Sequence, residues 1–242
     1  MLKTTLRKLA AIGLVVLLAS AQAQAAYKSR GCSAYNGDDL NGTPLAGKLG
    51  SGIDVAIFQD GSELGRLLRV YPAIFYLREK GGPNAMAYWA TYHDLLRQQG
   101  LSSSCCPDGT VFIGLALLRS EWRATYGTGL SIPGIVAHEY AHIAQFKYNF
   151  PWTEGKWPEL HADFIAGWFI AHRGRFPIAT DAYQAAASLY YKGDYDFNDR
   201  DHHGTPEERL KAFRAGFEFN LRSNIPSGAL AYQAGINYIK SL

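Results

Sequence analysis

The chain has 242 residues, of which 48% are hydrophobic and 19% are charged, with 24 Lys and Arg against 21 Asp and Glu. This length is sufficient for one domain with a sizeable core, and the apolar and aromatic content argues against an intrinsically disordered chain. Three cysteines are too few for a small scaffold built on disulfides. Composition therefore predicts a folded globular domain.

The first segment has the three-part pattern of a secretory signal peptide. A basic start, an apolar run and small residues suited to cleavage follow one another: Lys3, Arg7 and Lys8, then residues 9–19, then Ala23-Gln24-Ala25. The apolar run is well short of the roughly 20 residues that a membrane span needs. We therefore predict a periplasmic or secreted protein with no stable membrane insertion after cleavage. Because the segment carries the whole excess of positive charge, the mature chain is formally neutral and gives no sign of a nucleic-acid partner.

Three segments divide the chain by composition. Residues 1–25 are the predicted signal peptide, and residues 26–52, rich in Gly, Ser, Asn and Asp, are predicted to form an irregular leader. Residues 53–242 show no internal repeat and no linker between two cores. We predict that they form a single domain.

The predicted strands lie in the first half of this domain. Residues 54–58, 73–77 and 110–118 have strand character, and the last of these segments is the strongest. Residues 84–99 have helical spacing that ends before Gly100, a residue typical of the position just after a helix. The sheet is expected to be small and mostly antiparallel.

The second half is predicted to be almost entirely helical. Ser131 with Pro133 has the pattern of a helix start, and so has Thr205 with Pro206 and Glu208, which form a capping box. The five predicted helices cover residues 131–146, 158–174, 180–191, 205–223 and 227–241. The fold class is therefore predicted as α+β, with a small sheet and its edge strand beside a largely helical C-terminal body.

The first of these helices carries the H-E-x-x-H motif His138-Glu139-Tyr140-Ala141-His142. Residues four apart differ by only about 40° around a helix, so both imidazoles leave the same face and can bind one Zn²⁺. Glu139 lies next to the first ligand and is placed to take a proton from metal-bound water. Without a metal, burying these three polar side chains on an apolar helix would be costly.

A third ligand is predicted in the next helix, where Glu159 and Asp163 lie one turn apart on the same face. Glu159 would complete a His₂Glu site that leaves a fourth position open for water. Asp163 would accept a hydrogen bond from a ligand imidazole and so fix its tautomer. One catalytic Zn²⁺ is therefore the predicted cofactor.

The order H-E-x-x-H followed by E-x-x-A-D resembles the gluzincin zinc peptidases. Other segments resemble two groups, the CAAX-protease/HtpX-like peptidases and the putative neutral zinc metallopeptidases of bacteria. Residues 201–209, which contain D-x-H-G, resemble a segment of both groups. Residues 106–112, which contain Cys-Pro, resemble a segment of the neutral zinc metallopeptidases, and residues 84–87, which read N-A-x-A, resemble a segment of the CAAX-protease/HtpX-like peptidases. The likeness spans about residues 70–220.

This resemblance implies further roles. His203, six residues before Arg209, would donate a hydrogen bond to the developing oxyanion, and His202 competes for that role. Arg209 would orient this segment or bind substrate, with an ordinary surface charge as an equal alternative. The strand within residues 111–118 would lie at the sheet edge near the metal and bind substrate backbone by strand addition, although an ordinary core strand fits equally well.

These residues together predict an exported zinc metallopeptidase that hydrolyses peptide bonds in a protein or peptide substrate. Two alternatives are a zinc-containing envelope protein that binds or chaperones partners with little hydrolysis, and a zinc-dependent cell-wall amide hydrolase. Cleavage specificity and oligomeric state are left open. In an exported protein Cys32 is free to pair with Cys105 or Cys106, or the two adjacent cysteines form a vicinal bridge.

Overall fold

The computed structural model describes residues 33–35, 42–45, 48–50, 52–102, 104–152, 155–174, 178–195, 202–223 and 227–242. The predicted signal peptide and Cys32 lie outside these residues. Within the described ranges, no helix combines the length and the hydropathy that crossing a bilayer requires.

Five short strands form one mixed sheet in the order β1-β4-β5-β3-β2. The strands are β1 (Ser33–Tyr35), β2 (Gly42–Leu45), β3 (Ala73–Glu79), β4 (Ala85–Tyr88) and β5 (Thr110–Gly114). The pairs β1–β4 and β3–β5 are parallel, whereas β2–β3 and β4–β5 are antiparallel. The predicted sheet is present, but it is mixed rather than mostly antiparallel, because the long connection from β3 to β5 permits parallel pairing.

The strand β5 lies in the middle of the sheet, between β3 and β4, and all five of its residues are buried. The expectation that this segment forms an edge strand beside the metal is therefore wrong, and the alternative of a core strand is correct. The strand also ends at Gly114 rather than at residue 118. The Glu79 carboxylate accepts hydrogen bonds from the backbone N–H groups of Ala116 and Leu117, both at 2.9 Å, and so starts a helix there.

Eight helices lie within the described residues. They are α1 (Gly52–Leu68), α2 (His93–Gln98), α3 (Leu115–Ala124), α4 (Ile132–Lys147), α5 (Trp157–Arg173), α6 (Ile178–Tyr190), α7 (Pro206–Ser223) and α8 (Gly228–Lys240). The five helices predicted for the C-terminal half correspond to α4 through α8, which confirms the α+β class. The capping box at α7 forms as expected, since Thr205 N–H donates to Glu208 Oε2 at 3.0 Å and Thr205 Oγ1 accepts from Glu208 N–H at 3.2 Å.

The leader, residues 26–52, was predicted to be irregular but contributes the strands β1 and β2 to the sheet. Two further segments of the first half differ from the sequence prediction. Residues 54–58 belong to α1, whose buried face continues through Ile57, Leu64 and Leu68 at helical spacing. Residues 84–99 form β4 and the short helix α2 rather than one helix. Residues 54–58 are too few to distinguish the strand period from the helix period, and residues 84–99 divide between a strand and a helix, so that neither period holds over the whole segment.

The metal-motif helix α4 lies at the centre of the packing. It contacts β4 and β5 of the sheet, α1, α6 and the following helix α5, and α5 packs in turn on α7 and α8. Two glycines permit the close approach of α5 to α7. A Cβ at Gly167 would lie 1.9 Å from Phe213 O, and one at Gly216 would lie 1.8 Å from Phe164 O. Side chains of α7 can therefore reach the residues of α5 that face α4.

Candidate metal centre

His138, His142 and Glu159 bring three ligand atoms together inside the protein. His138 Nε2 lies 3.0 Å from His142 Nε2. Glu159 places Oε2 3.2 Å from His138 Nε2 and Oε1 3.2 Å from His142 Nε2. One ligand atom from each residue therefore lies within 4.8 Å of the other two. The imidazoles come from successive turns of α4 and the carboxylate from the first turn of α5.

The chemistry of this group fits a metal ion. Two imidazoles and one carboxylate form a three-ligand donor set that catalytic metal sites use. Both histidines are fully buried and Glu159 is only 5% exposed. Glu139 and Asp163 are also buried, and the Arg209 guanidinium pairs with the carboxylates of Asp163 and Glu159. A divalent cation would balance the buried carboxylate charge that Arg209 does not balance, in place of the proton that His138 holds in the metal-free chain.

Asp163 and Arg209 hold His138 on the side of its ring opposite the cluster, through its Nδ1 atom. His138 Nδ1 donates to Asp163 Oδ1 at 2.9 Å, which leaves Nε2 directed at the cluster. Arg209 is fully buried and donates to the same carboxylate from Nε at 2.7 Å and from Nη2 at 2.9 Å. Its Nη2 also lies 3.4 Å from Glu159 Oε2. Of the roles that the sequence left open for Arg209, the surface charge is wrong, because the residue is the buried partner of Asp163.

Burial and neighbouring charges set the protonation of the metal-free cluster. Burial by itself lowers the pKa of His138, but the hydrogen bond to Asp163 and the contact with Glu159 outweigh it and raise this pKa to about 9. Burial raises the pKa of Asp163, yet Arg209 and His138 hold it below its usual value. Burial also raises the pKa of Glu159, but His138 and His142 outweigh this effect and hold that pKa well below its usual range. A metal ion must therefore displace a proton from His138 on binding.

A chain of hydrogen bonds that the sequence analysis missed supports the second histidine ligand. His142 Nδ1 donates to Gln145 Oε1 at 2.8 Å. The Gln145 amide donates to Pro158 O at 2.8 Å and to His161 Nδ1 at 3.0 Å, and His161 Nε2 donates to Tyr232 O at 3.1 Å. These bonds place a proton on His142 Nδ1 and leave its Nε2 lone pair for a metal. The spacing of Gln145, one turn after His142, is the sequence signal that could have revealed it.

The buried His161 imidazole predicts a loss of stability in acid. Burial lowers the pKa of His161 to about 4. Its value in the unfolded chain is about 6.5, so the unfolded chain binds the proton first as the pH falls from about 6.5 towards 4. We expect His161 to cost about 2 kcal/mol of unfolding free energy between pH 7 and pH 5. Denaturant unfolding of the metal-free chain at both pH values measures this change.

The matched variant for this measurement is His161→Gln, which keeps a donor and an acceptor but does not titrate. Its unfolding free energy should change less between pH 7 and pH 5 than that of the unsubstituted chain, by about the contribution assigned to His161. Equal changes in the two proteins would show that His161 is already protonated in the folded state at pH 5.

The side chains proposed to take part in catalysis are not among the three clustered metal-binding candidates. Glu139 is fully buried on α4, beside His138. His202 and His203 are not among the three clustered ligands, and both contact Asp194. His202 Nδ1 lies 2.5 Å from Asp194 Oδ1, whereas His203 donates its backbone N–H to Oδ2 at 3.0 Å and places Nδ1 3.5 Å from it. One carboxylate therefore orients both candidates for the oxyanion role, which stays a prediction for either residue.

The adjacent cysteines lie on the other side of α4. Cys105 and Cys106 form a vicinal disulfide, one of the pairings that the sequence left open. The pair borders a cavity of about 380 Å³ whose described lining includes Tyr140 of α4 but none of the three clustered ligands. Because Tyr140 follows His138 by two residues, about 200° around the helix, this cavity faces away from the candidate metal centre.

Comparisons of the chain with models of protein families, with curated proteins and with solved structures found no match. The chain's own residues supply a buried group of two histidines and one glutamate that could hold a metal ion.

Proposed function

We propose that this protein is an exported zinc peptidase that hydrolyses peptide bonds, as the likeness of its motifs to the gluzincins implies. The observation that carries the proposal is the convergence of His138, His142 and Glu159 within 4.8 Å. Glu139 follows the first ligand directly on the same helix, where the reaction needs a base. A purely structural metal site would have no use for a buried carboxylate at this position.

Each residue of the centre has a task in such a hydrolysis. Bound zinc would supply Lewis acidity to the attacking water and to the scissile carbonyl. Glu139 takes the proton of the attacking water and delivers it to the leaving amine. Asp163 and Gln145 hold the two imidazoles by their Nδ1 atoms, so that each Nε2 faces the cluster. A histidine held by Asp194 donates to the developing oxyanion.

Two features support export. Residues 1–25 have the pattern of a signal peptide, although they lie outside the described part of the structure. The disulfide between Cys105 and Cys106 is of a kind that persists in oxidising compartments such as the periplasm and the cell exterior. The substrate would then be an extracytoplasmic polypeptide.

The direct test is the metal content of the purified mature chain. We expect stoichiometric zinc in the unsubstituted chain and little in His138→Ala, because that variant lacks one of the three ligands. His93→Ala, which changes an exposed histidine in α2, is the matched control and should retain zinc. A mature chain without stoichiometric zinc would refute the proposed site.

Cleavage of unfolded casein, with and without a chelator, separates the proposed activity from its rivals. Cleavage that the chelator abolishes and added zinc restores is the expected result. A zinc-loaded chain that leaves casein and other peptides intact would instead favour an envelope binding protein. Digestion of peptidoglycan but not of casein would favour a cell-wall amide hydrolase.

A further inference from the structure

The cavity of about 380 Å³ beside the cysteine pair has the size of a site for a small molecule. Such sites commonly have volumes of about 300–1,000 Å³. The cavity is bounded by α1, by β3 with the turn before it, and by α2 with the segment that leads to the two cysteines. It contains none of the three clustered metal-binding candidates.

The lining of this cavity is aromatic, apolar and uncharged. Four rings contribute to it, those of Phe58, Tyr71, Phe75 and Tyr140. Phe75 is 1% exposed whereas Tyr71 is 54% exposed, so the rings extend from the interior to the mouth. None of the described lining residues is Asp, Glu, Lys, Arg or His. Because an ion is costly to bury without a partner of opposite charge, such a lining favours a neutral ligand with an aromatic ring.

The Tyr140 hydroxyl is a buried donor beside this cavity. Tyr140 is only 3% exposed, yet its hydroxyl forms no hydrogen bond with any residue that the structure describes. A Cβ at Gly61, which also lines the cavity, would lie 2.7 Å from Tyr140 Oη, so this oxygen lies beside the wall that α1 forms. Buried hydroxyl groups usually have a hydrogen-bond partner. A ligand with an acceptor atom would supply one.

The two cysteines form a wall that is in place before any ligand binds. Their disulfide joins adjacent residues, and the pair packs on the apolar cluster that contains Phe75 and Leu96. Thr91 Oγ1 donates a hydrogen bond to Cys106 O at 2.8 Å. Polarisable sulfur atoms make favourable contacts with aromatic rings. This wall therefore also suits an aromatic ligand.

We propose that this cavity binds a neutral aromatic molecule with one hydrogen-bond acceptor, and that the Tyr140 hydroxyl donates to this acceptor. The rings and the disulfide supply the contact area, and the single hydroxyl selects ligands that carry the acceptor. The site is separate from the proposed peptidase activity, because it needs neither the metal nor the base Glu139.

The first test compares three probes of similar size on the purified mature chain. Acetophenone is neutral and has one carbonyl acceptor, ethylbenzene lacks the acceptor, and benzoate carries a negative charge. An NMR titration follows the methyl groups of Ile74 and Leu96, which line the cavity. We expect saturable shifts with acetophenone and about fivefold weaker binding of ethylbenzene, the effect of about one net hydrogen bond. Benzoate should cause no saturable shifts.

The second test removes the donor and keeps the ring, by Tyr140→Phe. This change should weaken acetophenone binding about fivefold and leave ethylbenzene binding unaltered, so that the variant no longer distinguishes the two probes. The matched control is Tyr126→Phe, the same chemical change at a tyrosine that is 94% exposed and outside the described lining. It should keep the preference for acetophenone.

Three results would overturn the proposal. The first is the absence of saturable acetophenone shifts at Ile74 and Leu96 in the unsubstituted chain. The second is equal binding of acetophenone and ethylbenzene by that chain, or a preference for acetophenone that survives Tyr140→Phe. The third is benzoate binding as tight as that of acetophenone. The comparison of probes on the unsubstituted chain decides the matter even if the Tyr140 variant fails to fold.

Discussion

Replacing Glu139 with Gln is expected to abolish peptide hydrolysis while zinc stays bound. The amide has nearly the same shape as the carboxylate but cannot take a proton from water. A general base contributes about 10²- to 10⁴-fold to a rate, so casein cleavage should fall by at least about 100-fold. Zinc content should be unchanged, because Glu139 is not one of the three clustered ligands. Metal analysis and initial rates of cleavage on the same preparation test both halves of this expectation.

The control is Glu207→Gln, the same chemical change at an exposed position of α7, which should leave both zinc content and rate unaltered. Full activity of Glu139→Gln would contradict the proposed mechanism. Loss of zinc from Glu139→Gln would contradict the division of the motif into two ligands and one base.

Replacing Arg209 with Met should cause the largest loss of stability among the substitutions considered. Arg209 is the buried partner of Asp163 and also lies 3.4 Å from Glu159 Oε2. Removing one member of a buried ion pair leaves an uncompensated charge and costs about 3–5 kcal/mol. The expected result is a fall of this size in the unfolding free energy, measured by denaturant titration, together with weaker zinc binding because Asp163 no longer holds His138 firmly.

Arg214→Met provides the matched control on the same helix. The side chain of Arg214 is 63% exposed and pairs with Glu218 on the surface, so its loss should cost no more than about 0.5 kcal/mol. Adding Asp163→Asn to Arg209→Met removes the stranded charge and should recover part of the lost stability. Equal stability of the Arg209→Met and Arg214→Met variants would show that the buried pair has no special role.

Local sequence patterns correctly predicted features that lie within one helix. The helix period alone places His138 and His142 on one face, and the capping box at Thr205 and Glu208 forms because its two hydrogen bonds span only three residues. Glu159 was predicted as the third ligand from its place in a second local motif. The structure brings these three candidate ligands together.

The sequence was least informative in the first half of the domain. Residues 54–58 are too few to distinguish the strand period from the helix period, and residues 84–99 form a strand followed by a short helix. Tertiary packing determined the structure of both segments. The position of β5 in the sheet was predicted wrongly for a different reason. Strand order depends on pairing between segments that are far apart in the chain, and no local pattern encodes it.

The sequence by itself therefore determined the α+β class, the helical C-terminal half and the donor set of the candidate metal centre. Tertiary structure decided what surrounds that donor set. Arg209 reaches Asp163 across 46 residues and His161 reaches the carbonyl of Tyr232 across 71, because α5, α7 and α8 pack together. Tertiary structure also placed β1 on the edge of β4 beside α4. The physical reason is that helix periods and caps act over one or two turns, whereas buried hydrogen bonds and strand pairing join residues that only folding brings together.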